Sequence, residues 1–220
     1  PQRLWLFMHS FDTLLETEKG IEKMAKKTLV LVRHGQTLFN AKNRIQGWCD
    51  SPLTELGLQQ ARNTAAELKK RGYAFDAAYA SVSERAWRTL EEIYDGPYTL
   101  ERELKEMNFG ALEGDPEEWY PDFDARERLQ TEKGGESHEQ VAERMEKTVR
   151  DILKRDGSTI LIAGHGVAIW AVVRRLMNHM VPFPGNAAFY ALEYDTETEA
   201  FELKEMYNVL QPKGESDHEN

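Results

Sequence analysis

Apolar positions recur along this chain on two periods. Leu29-Val30-Leu31-Val32 is a short apolar run rich in β-branched residues, which predicts a buried strand. Thr159-Ile160-Leu161-Ile162-Ala163 is a second such run, and residues 77–81 read as a third, shorter strand. Other segments carry the helical period. Leu58, Ala61, Ala65 and Leu68 follow Thr54, a fair N-cap, and Gly72 closes that helix. Ala86, Leu90 and Ile93 follow Ser83, read as the next cap. Val141, Met145, Val149 and Ile152 follow Ser137 and Gln140, a capping-box pair. Residues 167–177 form an apolar helix directly after the second buried strand. Residues 189–194 and 201–207 read as a closing hairpin. The pattern is that of an α/β sheet with parallel-type strands.

The ends of the two buried runs carry the first chemical signal. One stops at Arg33-His34-Gly35-Gln36-Thr37 and the other at Gly164-His165-Gly166. In an open α/β sheet, ligands bind in the crevice at the carboxyl ends of the strands. Two such ends would bring His34 and His165 to one crevice, with Arg33 beside them. Gly35 is expected to turn the backbone sharply and to bring amides near an anion. Arg85 falls in the first turn of its helix, where a cation opposes the helix dipole. That misfit suggests service to an anion at the helix N-terminus. Asn40 and Gln46 carry amides suited either to loop capping or to phosphate oxygens.

The remaining segments are read more coarsely. Residues 115–135 are rich in Asp, Glu, Pro and aromatics and are expected to form a loop and short helix over the crevice. His138 is expected at the surface. In residues 1–23, Leu4, Met8, Phe11 and Leu15 share one helical face, so an amphipathic N-terminal extension is one reading. The other is that the natural start is Met24 and the preceding residues are surplus. A domain is expected over 24–210, with a polar tail over 211–220.

Composition narrows the classes of partner. The 220 residues include 28 basic and 38 acidic side chains, a formal net charge of -10. Such a chain is a poor general ligand for nucleic acid or an anionic membrane, so any phosphate must be drawn by a local arginine cluster. Cys49 is the one cysteine, which excludes an internal disulfide and fits the reducing cytoplasm. No apolar run reaches bilayer length. There is no CxxC or HExxH pattern, so no dedicated metal site is expected.

Taken together and in order, these residues resemble a family. Arg33-His34-Gly35-Gln36-Thr37, Asn40, Gly47-Trp48 with Asp50 and Leu53-Thr54 come first. Ser83 with Arg85-Ala86 and Thr89 follows. Glu106 with Phe109-Gly110 and Glu113-Gly114 comes next, then Gly164-His165-Gly166. The set resembles the histidine phosphatase superfamily, the phosphoglycerate-mutase-like proteins, over roughly residues 27–210. The resemblance implies a three-layer α/β/α sandwich with a mostly parallel central sheet. It implies His34 as phosphoryl-accepting nucleophile, with Arg33, Arg85 and His165 forming the phosphate pocket and Glu106 donating a proton. Asn40, Gln46, Thr37 and Gly166 would contact phosphate or substrate.

Among the family's activities, the phosphatase type is expected here, because only about thirty residues separate Glu106 from the Ser137 cap. The substrate would be a small phosphorylated metabolite, with no cofactor. The alternative is a phosphoglycerate mutase, which would need a 2,3-bisphosphoglycerate primer. A non-catalytic phosphate-binding module is a third, weaker reading. A homodimer is also an open expectation, and the N-terminal segment is the feature that bears on it.

Overall fold

The computed structural model describes residues 26–119, 122–155 and 157–209. The expected N-terminal extension and the tail from residue 211 lie outside the described residues. Six strands form one sheet: β1 Lys26–Arg33, β2 Ala77–Ser81, β3 Thr99–Glu101, β4 Thr159–Gly164, β5 Phe189–Asp195 and β6 Phe201–Tyr207. Their order is β3-β2-β4-β1-β5-β6. β1 pairs in parallel with β4, and β2 in parallel with both β4 and β3. β5 runs antiparallel to β1 and to β6, so it alone opposes the common direction.

The helices are α1 Leu38–Ala41, α2 Glu55–Lys70, α3 Glu84–Ile93, α4 Phe123–Glu132, α5 His138–Arg155 and α6 Gly166–Met177. The side-chain alternation of the strands sorts them into two layers. Leu29 and Leu31 of β1, with Ile160 and Ile162 of β4, face Val141, Met145 and Val149 of α5 and Ile169 and Val173 of α6. Val30 and Val32, with Leu161 and Ala163, face Leu68 of α2 and Leu90 of α3. Both faces of β1 and β4 are therefore dry, and their apolar runs are continuous for that reason.

The expected sandwich is thus the observed one, and its layering locates the site. The chain leaves β1 toward the α2–α3 face and leaves β4 toward the α6 face, yet the two strands are neighbours. The sheet's topological switch point lies between them, where such folds open a crevice.

The local signals held with one change. Thr54 Oγ1 accepts from Gly57 N at 3.0 Å, and Ser137 exchanges bonds with Gln140, as their cap patterns require. Ser83 occupies the N-cap of α3 but makes no side-chain cap bond. Asp50, from the preceding loop, accepts from Glu84 N instead. Among the described residues no helix is long and apolar enough to cross a membrane.

Candidate active site

Arg33 of β1 lies opposite Gly164 of β4 in the parallel register. The next residue of each strand is a histidine, so His34 and His165 emerge at the same level. Their ring centroids are 5.4 Å apart. His34 Nδ1 lies 2.7 Å from the carbonyl oxygen of Gly35. A carbonyl only accepts, so Nδ1 holds the proton and the lone pair stays on Nε2. Burial, and then the positive charges of Arg85 and Arg33, hold the pKa of this imidazole well below the ordinary histidine value. His34 is neutral at neutral pH, with a fixed tautomer.

Gly35 serves differently from expectation. Its φ is not positive. A Cβ there would overlap the carbonyl oxygen of Gly57, and a Cβ on Gly57 would overlap that of Gln36. The two glycines let the first turn of α2 rest directly on the loop after His34. The Gly35 amide is not free for an anion, because it donates to Thr89 Oγ1 at 3.0 Å.

Around His34, three buried nitrogens have no hydrogen-bond partner: Arg33 Nε, Arg85 Nε and His165 Nδ1. Native interiors rarely leave such groups unmet. Arg85 is fully buried, and the bonds it does make are informative. Its Nη1 donates to Cys49 O at 3.0 Å and to Asp50 Oδ1 at 2.7 Å. Its Nη2 donates to Gly47 O at 2.7 Å. Three of the five guanidinium hydrogens are committed. Nε–H and one Nη2–H remain, neighbouring donors suited to a bidentate oxyanion. Arg33 Nη1 donates to Pro184 O at 2.8 Å, again leaving Nε. His165 Nε2 lies 2.8 Å from Ser81 Oγ, at the end of β2. Burial, followed by Arg85, also holds the pKa of His165 well below its usual value.

Glu106 sits at the N-terminus of α6. Its Oε1 accepts from Met107 N at 2.8 Å and Ala168 N at 2.8 Å, and its Oε2 from Val167 N at 3.0 Å. These amides favour the carboxylate, but burial outweighs them and pushes the pKa above the ordinary glutamate value. Oε2 meets one amide against two at Oε1, so it is the oxygen with room for a proton.

Of these groups Arg33, His34 and Glu106 line a cleft of about 280 Å³, together with Asn40, Gln46 and Gly166. Arg85 and His165 do not line it; both are fully buried. Thr37 is also fully buried, against the expectation of substrate contact. Its hydroxyl donates to Gln46 Oε1 at 2.6 Å and its backbone N–H donates to Asn40 Oδ1 at 3.2 Å, so it orients the two side-chain amides that do reach the cleft. His138 corrects another expectation. It is buried, 2.9 Å from Glu127 and edge-on to Trp170, because α4 folds down over the first turn of α5. Among the aromatics, Phe109 and Phe183 line the cleft; Trp48 and Trp119 do not.

Sequence reasoning missed several residues. Arg44, Glu117, Arg126 and Phe183 complete the outer wall of the cleft. Asn186 donates to Asn40 Oδ1 at 3.1 Å and so fixes that amide. Arg44 sits two residues before Gln46 and was open to notice; Phe183 and Asn186 come from a loop with no local signature. Among the described residues no group of three or more His, Cys, Asp or Glu side chains is placed to hold a metal ion.

A fold with two histidines at the switch point, unmet buried donors around one of them and a buried carboxyl nearby marks an α/β protein with a candidate anion-binding crevice. The comparisons make this definite: residues 29–208 match the histidine phosphatase superfamily (branch 1), and the chain belongs to that family. A 2,3-bisphosphoglycerate-dependent phosphoglycerate mutase of Methylobacterium sp. (strain 4-46) is 34% identical over 207 residues, covering 81% of this chain and 97% of that protein. Bacillus stearothermophilus YhfR superposes with a TM-score of 0.73 at 29% identity, covering 84% of this chain and 98% of the other. A mycobacterial glucosyl-3-phosphoglycerate phosphatase, solved in complex with VO3, superposes with a TM-score of 0.71 at 25% identity, covering 84% and 100%. Relatives named as mutases and as phosphatases thus both resemble this chain.

Proposed function

We propose that this protein is a metal-independent phosphomonoesterase that works through a phosphohistidine on His34. The observation that carries the reading is the trio of unpartnered buried nitrogens, Arg33 Nε, Arg85 Nε and His165 Nδ1, around a neutral imidazole with its Nε2 lone pair available. An oxyanion satisfies all three. Nε2 of His34 attacks phosphorus while the bond from phosphorus to the ester oxygen breaks. The leaving oxygen takes the proton from Oε2 of Glu106. Water then attacks the phosphohistidine, gives its proton to the Glu106 carboxylate and releases phosphate. The arginines stabilise the charge that builds on the equatorial oxygens, and the covalent step divides one displacement into two.

The substrate is a small phosphate ester with a second anionic group. Arg44 and Arg126 add cations to the outer wall, and Glu117 offsets one of them. The cleft is thus cationic in a chain whose net charge is -10. The names of the mutase and phosphatase relatives, both referring to phosphoglycerates, point the same way.

A mutase is the second reading, favoured by the Methylobacterium relative. The 207-residue match takes up only 81% of this chain, about 178 residues, so that relative carries about thirty residues within the match that this chain lacks.

The test is phosphate release from a panel of phosphomonoesters with EDTA present, including 3-phosphoglycerate with 2,3-bisphosphoglycerate. Release that survives EDTA and disappears in His34→Ala is expected. Conversion of 3- to 2-phosphoglycerate with little free phosphate would establish the mutase instead. Neither activity, with phosphate still bound, would leave a binding module.

A further inference from the structure

One carboxylate outside the reacting groups collects four backbone amides. Glu113 Oε1 accepts from Trp48 N at 2.7 Å and Phe109 N at 3.1 Å. Its Oε2 accepts from Gly47 N at 3.0 Å and Cys49 N at 3.1 Å. Three successive amides of the 47–49 loop thus turn toward one half-buried anion, a nest made by the backbone. The carbonyls of that same loop point the other way. Gly47 O and Cys49 O take two of the hydrogens of Arg85. The fourth amide belongs to Phe109, three residues after Glu106, and the indole Nε1 of Trp48 donates to Glu106 O at 3.0 Å.

We propose that Glu113 is a positioning residue that fixes the free edge of Arg85 and the carboxyl of Glu106 in one frame. The inference rests on the phosphoryl-binding reading above. A peptide group is rigid and planar, so clamping the N–H of Trp48 fixes the direction of Gly47 O in the same peptide, and clamping Cys49 N holds the residue that carries the second carbonyl. Three carbonyl and carboxylate acceptors then decide which edge of Arg85 is left for phosphate. Asp50 alone cannot do this, since one ion pair leaves the guanidinium free to rotate about its contact. The close approach also explains Gly47: a Cβ there would overlap Met107 O and a Glu113 carboxylate oxygen. The loop can wrap the carboxylate only where that position lacks a side chain.

Glutamine at 113 keeps the shape but presents an NH2 to amides that need an acceptor. In Glu113→Gln, titration with inorganic phosphate is expected to show at least a tenfold rise in Kd. With a good substrate, kcat/KM is expected to fall about a hundredfold, in kcat as well as KM, because Glu106 is displaced too. Glu113→Asp, which keeps both acceptors, is expected to recover part of each loss. Gly47→Ala breaks the same contact from the other side and is the second variant should Glu113→Gln not fold. The double variant is expected to be little worse than either single one, as coupled neighbours are. A Glu113→Gln protein that melts earlier but binds phosphate and turns over like wild type would overturn the proposal and leave a purely structural carboxylate. Phosphate binding requires no turnover. A wild type that binds phosphate but releases none from any ester therefore counts against the esterase reading alone.

Discussion

At the scale of the residue, the site works by leaving some groups deliberately unmet and others fully occupied. The Nδ1 of His34 is committed to Gly35 O, which frees Nε2. Arg85 gives three hydrogens to the protein and keeps two. Glu106 is the finely balanced member, since burial raises its pKa while three amides lower it. Its role as acid predicts a dependence on the leaving group. A poor leaving oxygen needs the proton, and Glu106→Gln is expected to cost about 10²–10⁴-fold there. An ester of an acidic phenol leaves without help, so the same variant is expected to hydrolyse it at nearly the wild-type rate. A wild-type-like rate on alkyl phosphates would remove Glu106 from the chemistry. The pH profile should decline as pH rises through the raised carboxyl pKa, and the decline should vanish in Glu106→Gln. At the outer wall, Arg44→Ala should raise KM for 3-phosphoglycerate more than for a phosphate ester without a carboxylate, with kcat little changed. Equal effects on the two esters would remove the second-anion argument.

At the scale of the element, the strand ends aim the histidines and the helix starts complete the site. Parallel pairing of β1 and β4 sets His34 and His165 level. The N-terminus of α6 supplies two of the three amides on Glu106, and Asp50 reaches across to cap α3 while holding Arg85. The junction of α2 with the loop after His34 is the tightest of these. Gly57→Ala inside a helix gains about 1 kcal/mol of propensity. Overpacking against Gln36 costs about 1–3 kcal/mol, and the clash is with backbone, which cannot swing aside. The strain is expected to prevail, so urea unfolding should show a lower midpoint, together with reduced activity. A more stable Gly57→Ala protein would mean that the loop is softer than its contacts imply.

At the scale of the whole molecule, burying two neutral histidines ties stability to pH. Both have pKa values held below the usual 6.5, chiefly by burial. Between the lowered values and 6.5 the unfolded chain binds more protons than the folded one, so folding weakens as pH falls through that window. The buried carboxyl of Glu106 acts in the opposite sense: its raised pKa makes the fold lose stability as pH rises from 4.5 through the folded value. Two histidines act against one carboxyl, so net weakening on acidification below 6.5 is expected, and His165→Gln should flatten it. A stability curve unchanged by that substitution would mean that His165 is not buried neutral.

The sequence by itself determined the layers, the strand ends and the family. Short continuous apolar runs bounded by turn signals read as strands dry on both faces, and histidine or arginine at their ends follows from covalent adjacency. The ordered motifs then carried the family, because each one is local. What only the tertiary structure decided was which atoms remain free. That Arg85 offers two donors rather than five, and that Thr37 orients amides instead of touching substrate, depends on partners distant in the chain. So does the burial of His138, caused by α4 folding onto α5, and the arrival of Arg126 and Phe183 at the cleft. Hydrogen-bond satisfaction is a property of neighbours in space, and no period along the chain encodes it.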